Sequence, residues 1–506
     1  MTERRMGLGE LTDVIAPERV VGMPVGEVSG LGYDSRSVTP GSVFFAVPGV
    51  HVDGHRFVSQ AAAKGALAVV AERETAGIDV PQLIVDRTRR ALADAADAWY
   101  GRPSERLEVI GLTGTDGKTT TSHLAAAVLA AAGRRPGMVG TVALRIGDRV
   151  LPNQDRNTTP EALELQATLA AMVDAGNRSV VLEATSHGLA LDRLRNCRFD
   201  AGIVTTVTSE HLEFHGTLEA YRAAKARLIE EAPLAILNAD DAAFDYFRAR
   251  ARNRVLTYGL DSNADVRATD LRPTADGTEF RASAGGWQGM VPLRLPGRFN
   301  VHNALAALTL AHAQALDLDT AAQALGEVAG VPGRMERIDE GQPFAVIVDY
   351  AHTADSLGKV LRMLRPLASG RLIVVFGSAG ERDRSKRAPM GRIAAELADA
   401  LVIADEDPRL EDPREINEAI AAGARAAGAA EGDRLWVIDD RRAAIAHAVG
   451  IARAGDVLLL AGKGHEQCII YGTERRPWDE RVVAGEALRA AGWGTVNDRR
   501  ADGRQS

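Results

Sequence analysis

Short apolar runs of strand length, closed by glycine or polar turns, alternate along this chain with alanine-rich stretches of helical period. In residues 1–107 the apolar runs are 42–47, 67–70 and 83–85, followed by a helical stretch at 90–99 and the breakers Gly101-Arg102-Pro103-Ser104. A first domain boundary is therefore expected near Leu107. Residues 108–336 open with a strand at 107–112, a glycine turn and a helix at 118–132, and further strands are expected at 180–183, 203–207 and 235–238. Strands alternating with helices predict a parallel, doubly wound sheet. The stretch 254–295 changes character: short runs and turn residues alternate, which predicts appended antiparallel strands, and a helix returns after Asn300. Residues 337–506, beyond Gly330-Val331-Pro332-Gly333-Arg334, repeat the parallel pattern with runs at 345–348, 372–376, 400–404, 435–438 and 457–461. The expected fold is α/β with three domains: a small N-terminal α/β domain, a central P-loop-type sheet and a C-terminal Rossmann-like doubly wound sheet.

Length agrees, since 506 residues exceed what one core supports and correspond to about three domains at roughly 150 residues each. With 46% hydrophobic and 25% charged residues the composition is globular. A net charge of -8 with both signs interspersed argues against a nucleic-acid scaffold, so any anionic ligand must be held by a local site. Two cysteines, Cys197 and Cys468, can build neither a disulfide framework nor a four-cysteine zinc site. The start, Met1-Thr2-Glu3-Arg4-Arg5, carries no apolar leader, and no run of about 18 apolar residues follows. A cytoplasmic chain without membrane insertion is the expectation.

The chemistry begins at Thr113-Gly114-Thr115-Asp116-Gly117-Lys118-Thr119-Thr120, which follows a strand and opens a helix. There, backbone N–H groups and the helix dipole can cradle phosphates, Lys118 can reach the outer phosphates and Thr119 can ligate Mg²⁺. The strict phosphate-loop pattern requires Gly five residues before Gly117, and that position is Leu112. The competing reading is a glycine-rich turn carrying a surface lysine. Glu183 ends one apolar strand and His211 follows another, so both are placed to join Thr119 at a metal. Taken alone, Glu183 reads equally as a helix N-cap partner, and His211 as a loop histidine.

The variant loop resembles that of the Mur ligases and of their folylpolyglutamate and cyanophycin synthetase relatives, and segments in matching order extend the likeness over nearly the whole chain. They are Asn157-Thr158-Thr159-Pro160, Glu183-Ala184-Thr185-Ser186-His187-Gly188, Glu210-His211-Leu212-Glu213-Phe214-His215-Gly216, Asn300-Val301-His302-Asn303 and Asp349-Tyr350-Ala351-His352-Thr353. Tyr33-Asp34-Ser35-Arg36 and Gly462-Lys463-Gly464-His465-Glu466 resemble the tripeptide-forming branch in particular. The resemblance implies an ATP- and Mg²⁺-dependent ligase of peptidoglycan synthesis. It would phosphorylate the D-glutamyl carboxylate of a UDP-muramyl dipeptide and join a diamino acid to it, acting as a monomer on small-molecule substrates.

It also implies site residues. Gly114, Thr115, Asp116, Gly117, Lys118, Thr119, Thr120, Asn303 and Asp349 would hold ATP, with His352 nearby. Thr119, Glu183, His211 and Lys225 would hold the metal, Lys225 as a carbamate; Lys118, Lys225 and His211 would be the catalytic set. On spacing alone Lys225 is a solvated helix lysine. The UDP-muramyl peptide would lie on Tyr33, Asp34, Ser35, His51, Asn157, Thr158, Thr159, Thr185 and Arg193, with Leu191 standing where some members carry a substrate-touching Gln. The incoming amino acid would meet Arg382, Glu406, Asp407, Pro408, Arg409, Gly462 and Glu466. In members that use meso-diaminopimelate the 406–409 segment reads Asp-Asn-Pro-Arg. Arg409 keeps the cation that pairs with a distal carboxylate. Asp407 adds a carboxylate that would attract the distal ammonium of lysine or ornithine, or pair with Arg409 itself, so all three amino acids remain open. The rivals are a folylpolyglutamate-type ligase, opposed by the 33–36 and 406–409 segments, and a non-catalytic Mur-like partner protein, whose usual Cys-rich insertion two cysteines cannot form.

Overall fold

The computed structural model describes residues 5–49, 52–153, 157–261, 263–274 and 277–494. Three α/β units follow one another, each built on its own large sheet. In the first, strands Gly30–Gly32, Ser42–Phe45, Ala68–Ala71 and Gln82–Ile84 run parallel and Arg19–Val21 closes one edge antiparallel. The helix Thr88–Trp99 starts two residues earlier than its alanine pattern suggests and packs Ala91, Leu92 and Ala95 into the sheet core.

The central sheet has eleven strands, and the strand Glu108–Thr113 sits between Ser179–Glu183 and Ala201–Val204, all parallel. Their register sets Glu183 beside Leu112 and Val204 beside Thr113, so three carboxyl-terminal loops leave the sheet side by side. Ligands of open α/β sheets bind at such a place. One expectation needs correction. The 254–295 block is not antiparallel throughout: Arg254–Gly259 pairs parallel with Leu234–Asn238, and Val266–Thr274 enters parallel to it before the antiparallel meander through Gly277–Ala284 and Trp287–Leu293. The helix Phe244–Arg250 lies between the first two strands and makes the connection a crossover, which demands a parallel return. A hairpin, Ala143–Ile146 with Arg149–Pro152, extends the opposite edge and has too little apolar alternation to be read from sequence.

In the third unit Ala345–Asp349, Val457–Ala461, Leu372–Phe376, Ala400–Ile403 and Leu435–Val437 form the expected parallel sheet in that order. An antiparallel edge strand, Glu336–Ile338, and a hairpin, Cys468–Tyr471 with Glu474–Pro477, are additions. No helix among the described residues is long and apolar enough to cross a membrane.

Candidate active site

The loop after Glu108–Thr113 is shaped by glycines at positions where a side chain would collide. Gly114 has φ +154 and its added Cβ would lie 1.9 Å from Thr205 Oγ1; Gly117 has φ +86 and its Cβ would lie 2.5 Å from Asn303 Oδ1. Thr205 donates through Oγ1 to the Asp116 carbonyl at 2.6 Å, and Thr115 N–H donates to the Thr206 carbonyl at 2.6 Å. These bonds explain why the strand expected at 203–207 closes at Val204. The helix Lys118–Ala131 then points its amino end at the loop. Thr120 lies buried in its first turn. Lys118 Nζ folds back onto the carbonyls of Gly114 and Thr115 at 2.9 and 2.8 Å. Asn303 is brought to the same loop by the helix Arg298–Ala313, where it accepts from Thr121 Oγ1. Asp349 instead directs its oxygens to Met335 N–H and Ala351 N–H, at 2.9 and 2.8 Å. Burial raises its pKa against the pull of Arg334.

Glu183 is fully buried at the end of its strand, and every bond it accepts comes from a neutral donor. Thr119 Oγ1 lies 3.1 Å from Oε2, and Thr141 reaches the two oxygens through N–H and Oγ1 at 3.0 and 2.8 Å. Such a pair of hard oxygen groups, Thr119 and Glu183, suits Mg²⁺. His211 follows the strand Ala201–Val204 at φ +56, with Nδ1 3.4 Å from Glu213 Oε1 and Nε2 3.7 Å from Glu210 Oε2. Its ring stacks edge-on against His187, whose pKa burial and the neighbouring His211 pull down to about 3. No three His, Cys, Asp or Glu side chains among the described residues form a ready metal-ligand group.

Lys225 departs from what its spacing suggests. It is 1% exposed, its Nζ donates to the Gly114 carbonyl at 2.6 Å, and the ammonium lies 4.4 Å from the Tyr221 ring centroid. Burial first, then the nearby Lys118, hold its pKa well below the usual lysine value, against the opposite pull of Glu210 and Asp116. The two lysines thus converge on one carbonyl of the phosphate loop.

Sequence reasoning missed three residues here. Glu210 accepts from His352 Nε2 at 3.1 Å; burial raises its pKa, but His352, His211 and Lys118 outweigh this and keep it ionised. Arg334 lies over Tyr350 at 4.5 Å and reaches Thr119 Oγ1 at 3.5 Å. Thr141 joins Glu183 from the turn after Pro136–Val139. Glu210 stood beside His211 in a recognised motif, whereas Arg334 was visible only as part of a boundary. Lys359 lies 3.9 Å from Asp116 and His352 bonds Glu210, so the third unit meets the phosphate loop and the loop of Glu210, with Arg334 at the boundary between Tyr350 and Thr119.

The residues expected to hold the muramyl peptide form a partly prebuilt surface. Thr159 Oγ1 donates to the Glu183 carbonyl at 2.7 Å and lies 2.9 Å from Thr185 Oγ1, while Thr158 and Thr141 hydroxyls are 2.9 Å apart. Asn157 is exposed and its carbonyl accepts from Asn153. Arg193 donates to the Thr159 carbonyl and pairs with Glu161 at 2.7 Å. Leu191 closes the helix Ser186–Ala190, and next to it buried Asp192 is held by Arg87, Arg90 and Arg227. Tyr33 Oη donates to Glu164 at 3.0 Å, linking the first unit to the second. Asp34 pairs with Arg36, and Ser35 bonds Gln60. His51 lies outside the described residues.

In the third unit, Glu406 is buried and its Oε2 has no hydrogen-bond partner; a Cβ on Gly462 would come within 2.9 Å of that oxygen. Asp407 is only 3% exposed and accepts through Oδ1 from Lys463 Nζ at 3.0 Å and Ile470 N–H at 2.9 Å. Lys463, fully buried, also donates to Glu466. Asp407, expected to meet a substrate ammonium or Arg409, has an internal cation supplied 56 residues along the chain. Pro408 is buried, and Arg409 sits at φ +56, where its backbone pairs with Ile470 and Gly472. Arg382 is exposed.

Three family models match in series: Mur ligase family, catalytic domain, over residues 27–100; Mur ligase middle domain over 112–311; and Mur ligase, glutamate ligase domain over 333–464. The chain is 48% identical to a UDP-N-acetylmuramyl-tripeptide synthetase of Roseiflexus sp. (strain RS-1), with 92% of this chain and 96% of that protein covered. It is 43% identical to a UDP-N-acetylmuramoyl-L-alanyl-D-glutamate--2,6-diaminopimelate ligase of Geobacillus kaustophilus (strain HTA426), again over 92% and 96%. A solved structure of a ligase of that second name superposes with TM-score 0.66 at 32% identity, covering 96% of this chain and 99% of that one. Mycobacterium tuberculosis folylpolyglutamate synthase, at 19% identity and TM-score 0.62, shares the fold over 80% of this chain and 95% of its own. Matched in all three units and along nine-tenths of its length, this chain belongs to the Mur ligase family.

Proposed function

We propose that this Mur ligase is the ATP-dependent enzyme that adds a diamino acid to UDP-N-acetylmuramoyl-L-alanyl-D-glutamate in cytoplasmic peptidoglycan synthesis. The observation that carries the reading is the convergence of Lys118 and Lys225 on the Gly114 carbonyl, with the Thr119–Glu183 pair beside them. The names of the relatives at 43% and 48% identity support the muramyl substrate, whereas the folylpolyglutamate likeness at 19% carries the fold alone. The division of labour runs 1–107 for the uridine nucleotide, 108–336 for ATP and the muramyl peptide, and 337–506 for the amino acid.

Backbone N–H groups of 114–119 and the helix start cradle the ATP phosphates, and Lys118 swings from the loop carbonyls to the transferring phosphoryl group. Thr119 and Glu183, with His211 and Lys225 as its carbamate, would hold Mg²⁺, which would supply neutralisation of the phosphate charge. Lys225 suits carbamylation because burial favours the neutral amine, whose lone pair can react: nitrogen attacks CO₂, a C–N bond forms and one proton leaves. The glutamyl carboxylate oxygen attacks the γ-phosphorus, ADP departs, the amine attacks the acyl phosphate carbon, and phosphate leaves with the amine losing a proton. Thr159, Thr185 and Arg193 orient the glutamyl arm. For the amino acid, meso-diaminopimelate is the reading favoured here, since the Pro408-Arg409 pair that the resemblance ties to a distal carboxylate is intact and the relatives at 43% and 44% identity carry the 2,6-diaminopimelate ligase name. The test is ADP release with the dipeptide and each amino acid in turn; release without either substrate, or with glutamate and a folate in their place, rejects the proposal.

A further inference from the structure

Beneath the loops assigned to the amino acid lies an ion pair that the chemistry above does not use. Arg441 and Glu480 begin two neighbouring helices, Arg441–Ile451 and Glu480–Ala490, and both side chains are 0% exposed. Arg441 Nε lies 3.1 and 3.0 Å from the two Glu480 oxygens, and Nη2 lies 2.6 Å from Oε1. Trp478 Nε1 fixes the other oxygen at 2.7 Å.

The remaining donors of the guanidinium do something else. Nη2 donates to the Ala461 carbonyl at 2.7 Å and Nη1 to the Asp405 carbonyl at 3.4 Å. Ala461 immediately precedes Gly462 to Glu466, and Asp405 immediately precedes Glu406 to Arg409. Their strands, Val457–Ala461 and Ala400–Ile403, do not touch, because Leu372–Phe376 runs between them. One guanidinium therefore spans a strand and ties two loops, and the charges of both Glu406 and Glu466 act on it, the unpartnered Glu406 Oε2 lying where a Gly462 side chain would be.

Stability gives no reason for this pair. A buried ion pair commonly gains nothing over a well-packed apolar one, and a cation in the first turn of a helix opposes the helix dipole. Only arginine has the planar fork that grips a carboxylate and two carbonyls together. We infer that Arg441, locked by Glu480 and Trp478, is a positioning residue that sets the spacing of the Glu406 and Glu466 loops and thereby the affinity for the incoming amino acid. This rests on the amino-acid assignment proposed above.

The test measures KM for amino acid, UDP-muramyl dipeptide and ATP in the full-length wild type, Arg441→Lys, Glu480→Gln and Trp478→Phe. A lysine cannot hold both carbonyls and Glu480, so Arg441→Lys should raise the amino-acid KM about tenfold or more, with the other two constants within about twofold. Glu480→Gln keeps shape but removes the counter-charge and should act in the same direction. Trp478→Phe keeps the packing and removes one hydrogen bond, so a smaller rise, about threefold, is expected even if the buried variants fold poorly. Parallel rises in all three KM values, or an unchanged amino-acid KM in the folded variants, would overturn the inference. Wild type lacking any amino-acid dependence would overturn the proposed function instead.

Discussion

Replacing Lys225 with Met separates the lysine's chemistry from its place in the core. The side chain is fully buried and holds one hydrogen bond, to the Gly114 carbonyl at 2.6 Å, plus the contact with the Tyr221 ring. Losing a hydrogen bond from a charged donor costs about 1.5–3 kcal/mol, and losing a cation–π contact about 1 kcal/mol. Against these stands the burial penalty of an ammonium, which is several kcal/mol, so the apolar Met should leave stability within about 1 kcal/mol of wild type. The pH dependence has a definite sign. Because the folded pKa lies below the unfolded value of 10.5, the unfolded chain binds the extra proton, and wild-type stability gains relative to Lys225→Met as pH rises through that window. Activity should behave differently, falling about a thousandfold or more if Lys225, as carbamate, supplies a charge that the phosphoryl-transfer site needs. Thermal unfolding at several pH values and ADP release give the two readings. In addition, ¹³C-bicarbonate should give wild type a carbamate resonance that Lys225→Met lacks, and a short carboxylic acid should partly restore Lys225→Ala. A folded Lys225→Met with near-wild-type turnover would refute the reasoning, as would absence of both rescue and carbamate.

Lys118→Ala should abolish ADP release while unfolding at the wild-type temperature, since Nζ bonds only loop carbonyls in the resting site; near-normal turnover would remove the loop from catalysis. Asp97 is buried, its Oδ1 lacks a partner, and burial raises its pKa from 3.8 to about 6. The native state therefore holds a proton that the unfolded state has lost, and stability falls as pH rises between those values; Asp97→Asn should stabilise by on the order of 1–3 kcal/mol at neutral pH and by almost nothing at about pH 4, checked by thermal unfolding. Arg409→Ala should raise the KM for meso-diaminopimelate strongly and spare L-lysine. Asp407→Asn, by contrast, should leave the preference between the two unmoved, because the charge it removes is the one Lys463 meets; a swing toward diaminopimelate in that variant would show that Asp407 acts on the substrate.

What the sequence made legible follows from the range of the forces involved. The parallel strands buried on both faces announce themselves as unbroken apolar runs, as 372–376 and 457–461 do. The phosphate loop announces itself because glycines and a lysine must stand at fixed offsets between a strand and a helix. The hairpin Cys468–Tyr471 with Glu474–Pro477 exposes most of its second strand and leaves no such trace. Arg254–Gly259 carried a strand signal but not its direction, which depends on the crossover before it. Long-range partnerships are the least visible. Nothing local to Asp407 points to Lys463, nothing near Arg441 points to Glu480, and the burial of Lys225 depends on a loop 111 residues earlier in the chain. Arg334 reads as a boundary residue until the third unit is placed against the phosphate loop, where it meets Thr119.

Ligase activity is measured by incubating the purified chain with ATP, Mg²⁺ and UDP-N-acetylmuramoyl-L-alanyl-D-glutamate, supplying meso-diaminopimelate, L-lysine or L-ornithine, and following ADP release together with the mass of the product. ADP release should require both dipeptide and amino acid, with one amide formed per ADP and the highest kcat/KM for meso-diaminopimelate. ADP release that ignores the dipeptide, or a product lacking the new amide, would contradict the proposed ligase reaction.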